Sequence, residues 1–522
     1  GLHPHPRPPL RHPARGDFAA GSGGHRGTAP HYPVMRLPRA AGILLHPTSL
    51  PGPCGIGDLG LDSYRFLDLL QYTGMRYWQM LPIGPTGYGD SPYQCFSAFA
   101  GNPLLIHTGD TTASFPAHAV DFGRVIPAKQ AALREHTRAM PDDAAYQAFR
   151  EAEAWWLEDY ALFMALKEAH GGVAWTDWEA ALAQREPEAL AAARGRLADA
   201  IEHHRRVQHL FYLQFRALKG EANRRGIQLI GDLPIYVAHD SADVWANREQ
   251  FQLRADGRPA VQAGVPPDYF SATGQRWGNP IYDWDRMQAD GFAWWIRRMR
   301  AMFANFDVVR IDHFRGFEAY WEVPGEDTTA VNGRWVKAPG DALFAAITDA
   351  LGPVPIIAEN LGLITPAVEA LRERYGYPGM SILQFAFGTD GSANDFQPHT
   401  YPRERVVYTG THDNDTMVGW WASTGGGDST RTAEDVQREQ AFAMRYLGWD
   451  GSEVQWRFIR EVLASVADTA LIPMQDVLGL GTEARMNLPG RPGGNWQFRF
   501  SWDQVTPAIA DRLRELVHLY QR

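Results

Sequence analysis

A chain of 522 residues has room for one large α/β barrel or for about three average domains, so core size is no constraint. Its formal net charge of −10 argues against nucleic acid and anionic membrane surfaces as partners. Cys54 and Cys95 have neither metal-ligand spacing nor a disulfide framework, and no apolar run approaches the roughly 18 residues of a membrane span. A reducing, cytoplasmic setting is the expectation.

The first 34 residues, GLHPHPRPPLRHPARGDFAAGSGGHRGTAPHYPV, are rich in Pro, Gly, His and Arg and poor in large aliphatics. They cannot bury enough surface to offset their ordering entropy, so a disordered extension is expected over 1–34, with Met35 as the effective beginning. From there a pattern repeats: short apolar strand, polar or Gly-rich loop, amphipathic helix. AGILLHPTSL (41–50) leads to a helix over 61–73 that Gly74 should stop. RYWQMLPIG (76–84) comes next, and residues 108–205 then read as a helical insertion rich in Ala, Glu, Arg and Trp.

IQLIGDLPIYV (227–237) is the third strand. A helix over 290–304 sets Phe292, Trp295, Ile296, Met299 and Phe303 on one face, and VVRIDHFRG (308–316) follows as the fourth strand. VPIIAENLG (354–362), MSILQFAFG (380–388), RVVYTGTHDND (405–415) and TALIPMQDVLGL (469–480) complete the series. Eight such strands separated mostly by helices predict parallel pairing. A closed (β/α)8 TIM barrel with long loops at its C-terminal face is the expected fold, and a doubly wound open sheet is the alternative. Residues 35–522 are then one catalytic unit.

Polar residues at barrel strand ends collect at one mouth. Val308, Val309 and Ile311 form a β-branched run that delivers Arg310 and Asp312 to one side of the fourth strand. Taken alone, that is equally well a buried ion pair, in which the guanidinium should keep Asp312 ionised. The fifth strand adds Glu359, and the seventh adds His412 and Asp413. Three carboxylates at one mouth raise one another's pKa and need compensation, an arrangement more often catalytic than structural. Glycoside cleavage uses such carboxylates, one as nucleophile and another to protonate the leaving oxygen.

RIDHFRG, AENLG and TGTHDND fall in the order and spacing of the α-amylase superfamily. GYGDSPYQ (87–94), GVPPDYFS (264–271), QRWGNPIY (275–282) and TEARMNLPG (482–490) resemble amylomaltase more closely, the 4-α-glucanotransferases or disproportionating enzymes of glycoside hydrolase family 77. The likeness extends from about Ala41 to the C-terminus. It implies a nucleophile at Asp312, a general acid/base at Glu359 and a transition-state-stabilising carboxylate at Asp413. It also implies that Arg310 orients Asp312, that His412 bonds a sugar hydroxyl, and that Tyr93 stacks beside the reacting glucose.

On the same resemblance Asp268 and Trp277 line the acceptor side, Ser91, Gln275, Phe385 and Asn487 also touch substrate, and Tyr88 belongs to a secondary glucan site. His313 is expected to be structural. One position departs from the family pattern: Asn360 follows Glu359 where many relatives carry Asp. The implied reaction is retaining transfer between α-1,4-glucans and maltooligosaccharides, with no cofactor and no metal. A hydrolase of the same superfamily would share the carboxylates without the acceptor loops, and a silent glucan-binding protein would have lost a carboxylate.

Overall fold

The computed structural model describes residues 36–109, 111, 113–267, 273–388, 391–426, 431–491 and 493–522. The extension at 1–34, Met35 and Asp268 lie outside the described residues. In chain order the first strands are β1 (Ala40–Leu44), β2 (Tyr77–Gln79), β3 (Gln228–Leu233), β4 (Val261–Val265), β5 (Gln275–Pro280) and β6 (Val308–Ile311). They are followed by β7 (Ala319–Pro324), β8 (Arg334–Lys337), β9 (Ile356–Ala358), β10 (Gly379–Ile382), β11 (Arg405–Tyr408) and β12 (Thr469–Pro473). Eight of them close a barrel in the order β1-β12-β11-β10-β9-β6-β3-β2, with every neighbouring pair parallel.

Closure explains why the strand sequences are apolar almost throughout, since the barrel buries one face of each strand inside and the other under the helices. Tyr77, Ile230, Val308, Ile357, Val406 and Leu471 belong to the inner core, and each such side chain contributes about 1.5–3 kcal/mol by leaving water. Among the inner polar groups, Tyr408 Oη donates to Gln79 Oε1 at 2.9 Å, whereas the Tyr77 hydroxyl is buried without a partner. Outside, the helix Leu61–Thr73 buries Phe66, Leu67 and Leu70 and ends on Gly74 at φ 79°, a left-handed cap that glycine accepts without strain. The helix Ala293–Asn305 buries Trp295 and Met299 as its apolar face predicts, but also Trp294 and Arg298. Arg298 is accommodated because its guanidinium donates to the carbonyls of Pro234 and Ile235.

Between β2 and β3 the described helices include Phe122–Ala139, Ala144–Ala169, Pro187–Arg196 and Ala198–Arg224. The last passes through residue 205 unbroken and leads directly into β3, so one helix is shared by the helical region and the barrel wall. Phe149 and Trp156 pack on its Tyr212 at 5.9 and 6.1 Å between ring centroids.

Two pieces of the stretch expected to be acceptor loop are strands instead, β4 and β5, and they join an antiparallel sheet in the order β5-β4-β7-β8. Its strands come from two stretches on either side of β6. The pairing of β4 with β7, Ala263 opposite Glu322 and Gly264 opposite Trp321, ties the two stretches together, and such non-local pairing stabilises segments this short. A second difference concerns length. The barrel strands stop at Ile311, Ala358 and Tyr408, so Asp312, Glu359, His412 and Asp413 stand on the turns just beyond them.

β1 approaches β2 closely enough at Gly42 that an added Cβ would meet the Tyr77 side chain and carbonyl as well as Leu471. Gly42→Ala should therefore overpack the barrel and cost about 1–3 kcal/mol, read as a lowered thermal-unfolding midpoint. An unchanged midpoint would mean that the two strands part freely there.

Candidate active site

Strand register builds the centre of the mouth. Asp232 on β3 is the register partner of Arg310 on β6. Arg310 Nη1 lies 2.8 Å from both Asp232 oxygens, and Nη2 lies 3.0 Å from Asp312 Oδ1. The Arg310 side chain is 5% exposed and that of Asp232 0%, while Asp312 keeps 31%. Burial opposes the charge on Arg310, but the carboxylates of Asp232 and Asp312 more than offset it and hold the guanidinium above its usual range. Asp232 escaped the sequence reading because GDLP reads as an ordinary strand end, and nothing local marks Asp232 as the partner of a residue 78 positions away.

One strand further round, Ile311 is paired with Ala358, so Asp312 and Glu359 leave neighbouring strands at the same level. Glu359 Oε2 accepts from the His313 backbone N–H at 2.8 Å and Oε1 from that of Leu361 at 3.0 Å. His313 reaches this position at φ 52°, an uncommon backbone conformation for a non-glycine residue. The expectation of a structural His313 leaves out this amide. Burial, with the charge of Asp312 added, pushes Glu359 up to about 7, against the pull of Arg310 and the two amides. Asn360 turns away from the mouth, its amide donating to Glu369 Oε1 at 2.7 Å and accepting from Met380 N–H at 2.8 Å. An Asp at 360 would face Glu369 with no proton to give.

Across the mouth, Asp413 Oδ1 accepts from Asn487 Nδ2 at 2.6 Å and lies 3.4 Å from His412 Nε2. Arg485 donates to the Asp413 carbonyl at 2.7 Å. The Tyr93 ring stacks on His412 at 5.1 Å, and its hydroxyl donates to Asp232 Oδ2 at 2.7 Å. Tyr93 thus joins the two sides of the site. Burial and the surrounding carboxylates push its phenol well above the ordinary range, so it remains a hydrogen-bond donor. Behind His412 lies His46, which burial and the nearby imidazole push down to about 3. Trp496 backs both Tyr93 and His412, at 5.8 and 6.1 Å. It too was missed, because GGNWQF reads as a glycine-rich loop.

On the other flank Trp277 meets His313 edge-on at 4.8 Å, and Gln275 accepts from its indole N–H at 3.2 Å. Both stand on β5. Ser91 Oγ accepts from the Tyr93 backbone N–H at 3.2 Å. Phe385 is 41% exposed and packs on Phe396. Tyr88, 61% exposed, is tethered to Asp240 at 3.0 Å. No group of three or more His, Cys, Asp or Glu suited to a metal occurs among the described residues, and no helix is long and apolar enough to cross a membrane. The arrangement offers an arginine-paired carboxylate beside a carboxyl group that retains its proton near neutrality.

A family model described as 4-alpha-glucanotransferase, glycoside hydrolase family 77, matches residues 45–505. The 4-alpha-glucanotransferase of Thermus thermophilus is 53% identical over 94% of this chain and 100% of its own length. That of a Synechocystis species is 48% identical over 93% and 98%. Among solved structures, an amylomaltase from Streptococcus agalactiae in complex with acarbose superimposes with a TM-score of 0.88 at 39% identity, covering 93% of this chain and 99% of that one.

The environment of Glu359 has a stability consequence. In the unfolded chain its carboxyl ionises at the ordinary value of 4.5, whereas the folded protein retains the proton to about 7. The folded state then binds more protons across that window, so this residue's contribution falls as pH rises through it. Glu359→Gln should stabilise the fold at pH 8, by on the order of 1 kcal/mol, read as a raised thermal midpoint, with little difference at pH 4.5. A midpoint unchanged at pH 8 would mean that Glu359 ionises normally.

Proposed function

This chain belongs to the 4-α-glucanotransferases of glycoside hydrolase family 77, and we propose that it transfers α-1,4-glucan segments between maltooligosaccharides by a retaining double displacement. The observation that carries the mechanism is the contrast between two neighbouring carboxylates: Asp312 is paired with Arg310 at 3.0 Å, while Glu359 is pushed up to about 7. Asp312 attacks the anomeric carbon, the glycosidic C1–O4 bond breaks, and the Glu359 proton goes to the departing O4. A glucosyl ester on Asp312 results.

In the second half Glu359, now ionised, takes the proton of an acceptor 4-hydroxyl, whose oxygen attacks C1 and releases Asp312. Asp413 and His412 hold hydroxyls of the reacting sugar, with Asn487 fixing Asp413. Tyr93 supplies the stacking face. On the acceptor side, Trp277 and Gln275 form a platform, and Ser91 and Phe385 extend the contacts. A glucan wins over water when the acceptor is held in line for attack.

Two measurements test this reading. With maltotriose alone the protein should yield glucose and a ladder of longer and shorter maltooligosaccharides at nearly constant total reducing ends, because each transfer breaks one α-1,4 bond and makes another. Reducing ends rising in step with maltotriose loss would make it a hydrolase. Trp277→Ala should weaken transfer more than residual hydrolysis, since water needs no platform.

The carboxylate roles separate with an activated donor such as α-maltosyl fluoride. Glu359→Gln should still form the glucosyl ester, because fluoride departs without a full proton, and should accumulate it in the absence of a strong nucleophile. Asp312→Asn should form none. An adduct on the Asp312→Asn protein would reassign the nucleophile.

A further inference from the structure

Trp496 adopts φ 65°, in the left-handed region where a bulky side chain is a true outlier, and such outliers persist only where the surroundings fix them. The surroundings here do so on both sides. Its own N–H donates to the Met486 carbonyl at 2.7 Å, Asn487 N–H donates to the His412 carbonyl at 3.0 Å, and Val120 N–H donates to the Gln497 carbonyl at 2.7 Å. The result is a ring 7% exposed, set against Tyr93 at 5.8 Å and His412 at 6.1 Å.

The indole N–H contributes nothing to this packing. It has no hydrogen-bond partner among the described residues and is not sealed from solvent, although nine-tenths of the side chain is buried. Tryptophans of the core either donate to the protein, as Trp78 does to the Leu45 carbonyl and Trp175 to that of His239, both at 2.8 Å, or have their N–H sealed away from solvent without a partner, as in Trp178, Trp284, Trp294 and Trp295. A strained backbone that aims a ring at the two aromatic groups of the site, and leaves its one polar atom free, fits a ligand better than a core.

We propose that Trp496 is a donor-side substrate-binding residue. Its ring closes the wall formed by Tyr93 and His412, and its N–H donates a hydrogen bond to one hydroxyl oxygen of the donor glucan. This rests on reading the mouth as the donor site.

The test compares wild type with Trp496→Phe, which keeps a ring and loses the donor. Substrates are maltotriose and a set of α-maltosyl fluorides, one intact and the others each lacking a single hydroxyl, with glucose as acceptor. Trp496→Phe should lower kcat/KM for the intact fluoride roughly three- to tenfold, the loss of one neutral hydrogen bond. The loss should vanish for the one deoxygenated donor that lacks the partner. Equal losses across all donors, or none, would overturn the proposal. Should the phenylalanine variant fail to fold, Trp496→Gly, which accepts the left-handed backbone, decides instead. It must show the same single insensitive donor against a larger overall loss. A wild type that fails to disproportionate maltotriose would defeat the donor-site reading itself; an active wild type with an indifferent Trp496→Phe defeats only this inference.

Discussion

The ion triad of Asp232, Arg310 and Asp312 is the constraint on which the rest of the mouth depends. A guanidinium 5% exposed is costly to bury unless its charge is matched and its donors are used. Asp232 does the matching from the adjacent strand, so Arg310 has a second nitrogen to spare for Asp312. Asp232 is fully occupied by Arg310 and by the Tyr93 hydroxyl, and is therefore unsuited to act on substrate. Asp312, at 31% exposure, remains open to it. Removing Asp232 would leave the guanidinium short of a buried partner, and such losses cost about 3–5 kcal/mol.

The same geometry sets Glu359 apart. Register places it beside Asp312, so each carboxylate lies in the other's field, and burial then decides which retains a proton. Two backbone amides hold the Glu359 carboxylate in place, and one of them exists only because His313 adopts a left-handed backbone. That strain fits a site where orientation matters more than local comfort. Asn360 belongs to the same arrangement, because both ends of its amide are used to anchor the turn behind Glu359.

The barrel was legible because its strands are short apolar runs, each followed by a polar turn, a pattern carried locally by segments such as VVRID and VPIIAE. The carboxylate positions followed from the same rule. Three features were not legible, for one shared reason. The sheet β5-β4-β7-β8, the partnership of Asp232 with Arg310, and the backing ring of Trp496 are all set by residues far apart in the chain. Trp496 meets Tyr93 across the entire barrel sequence, and no local periodicity announces such a contact. Phe385, a residue named by resemblance, packs its ring edge-on against Phe396.

The sheet also bears on why a sugar rather than water should complete the reaction. β7 follows the turn Phe314–Phe317, which follows β6 within a few residues, and β4 pairs with both β7 and β5. The strand that carries Gln275 and Trp277 is therefore bonded through its sheet to the chain that carries Asp312. His313 couples them again, its backbone on Glu359 and its ring against Trp277 at 4.8 Å. On the proposed function, an acceptor resting on Trp277 would press on the residue that holds Glu359. Water, too small to rest on that platform, gains none of this alignment.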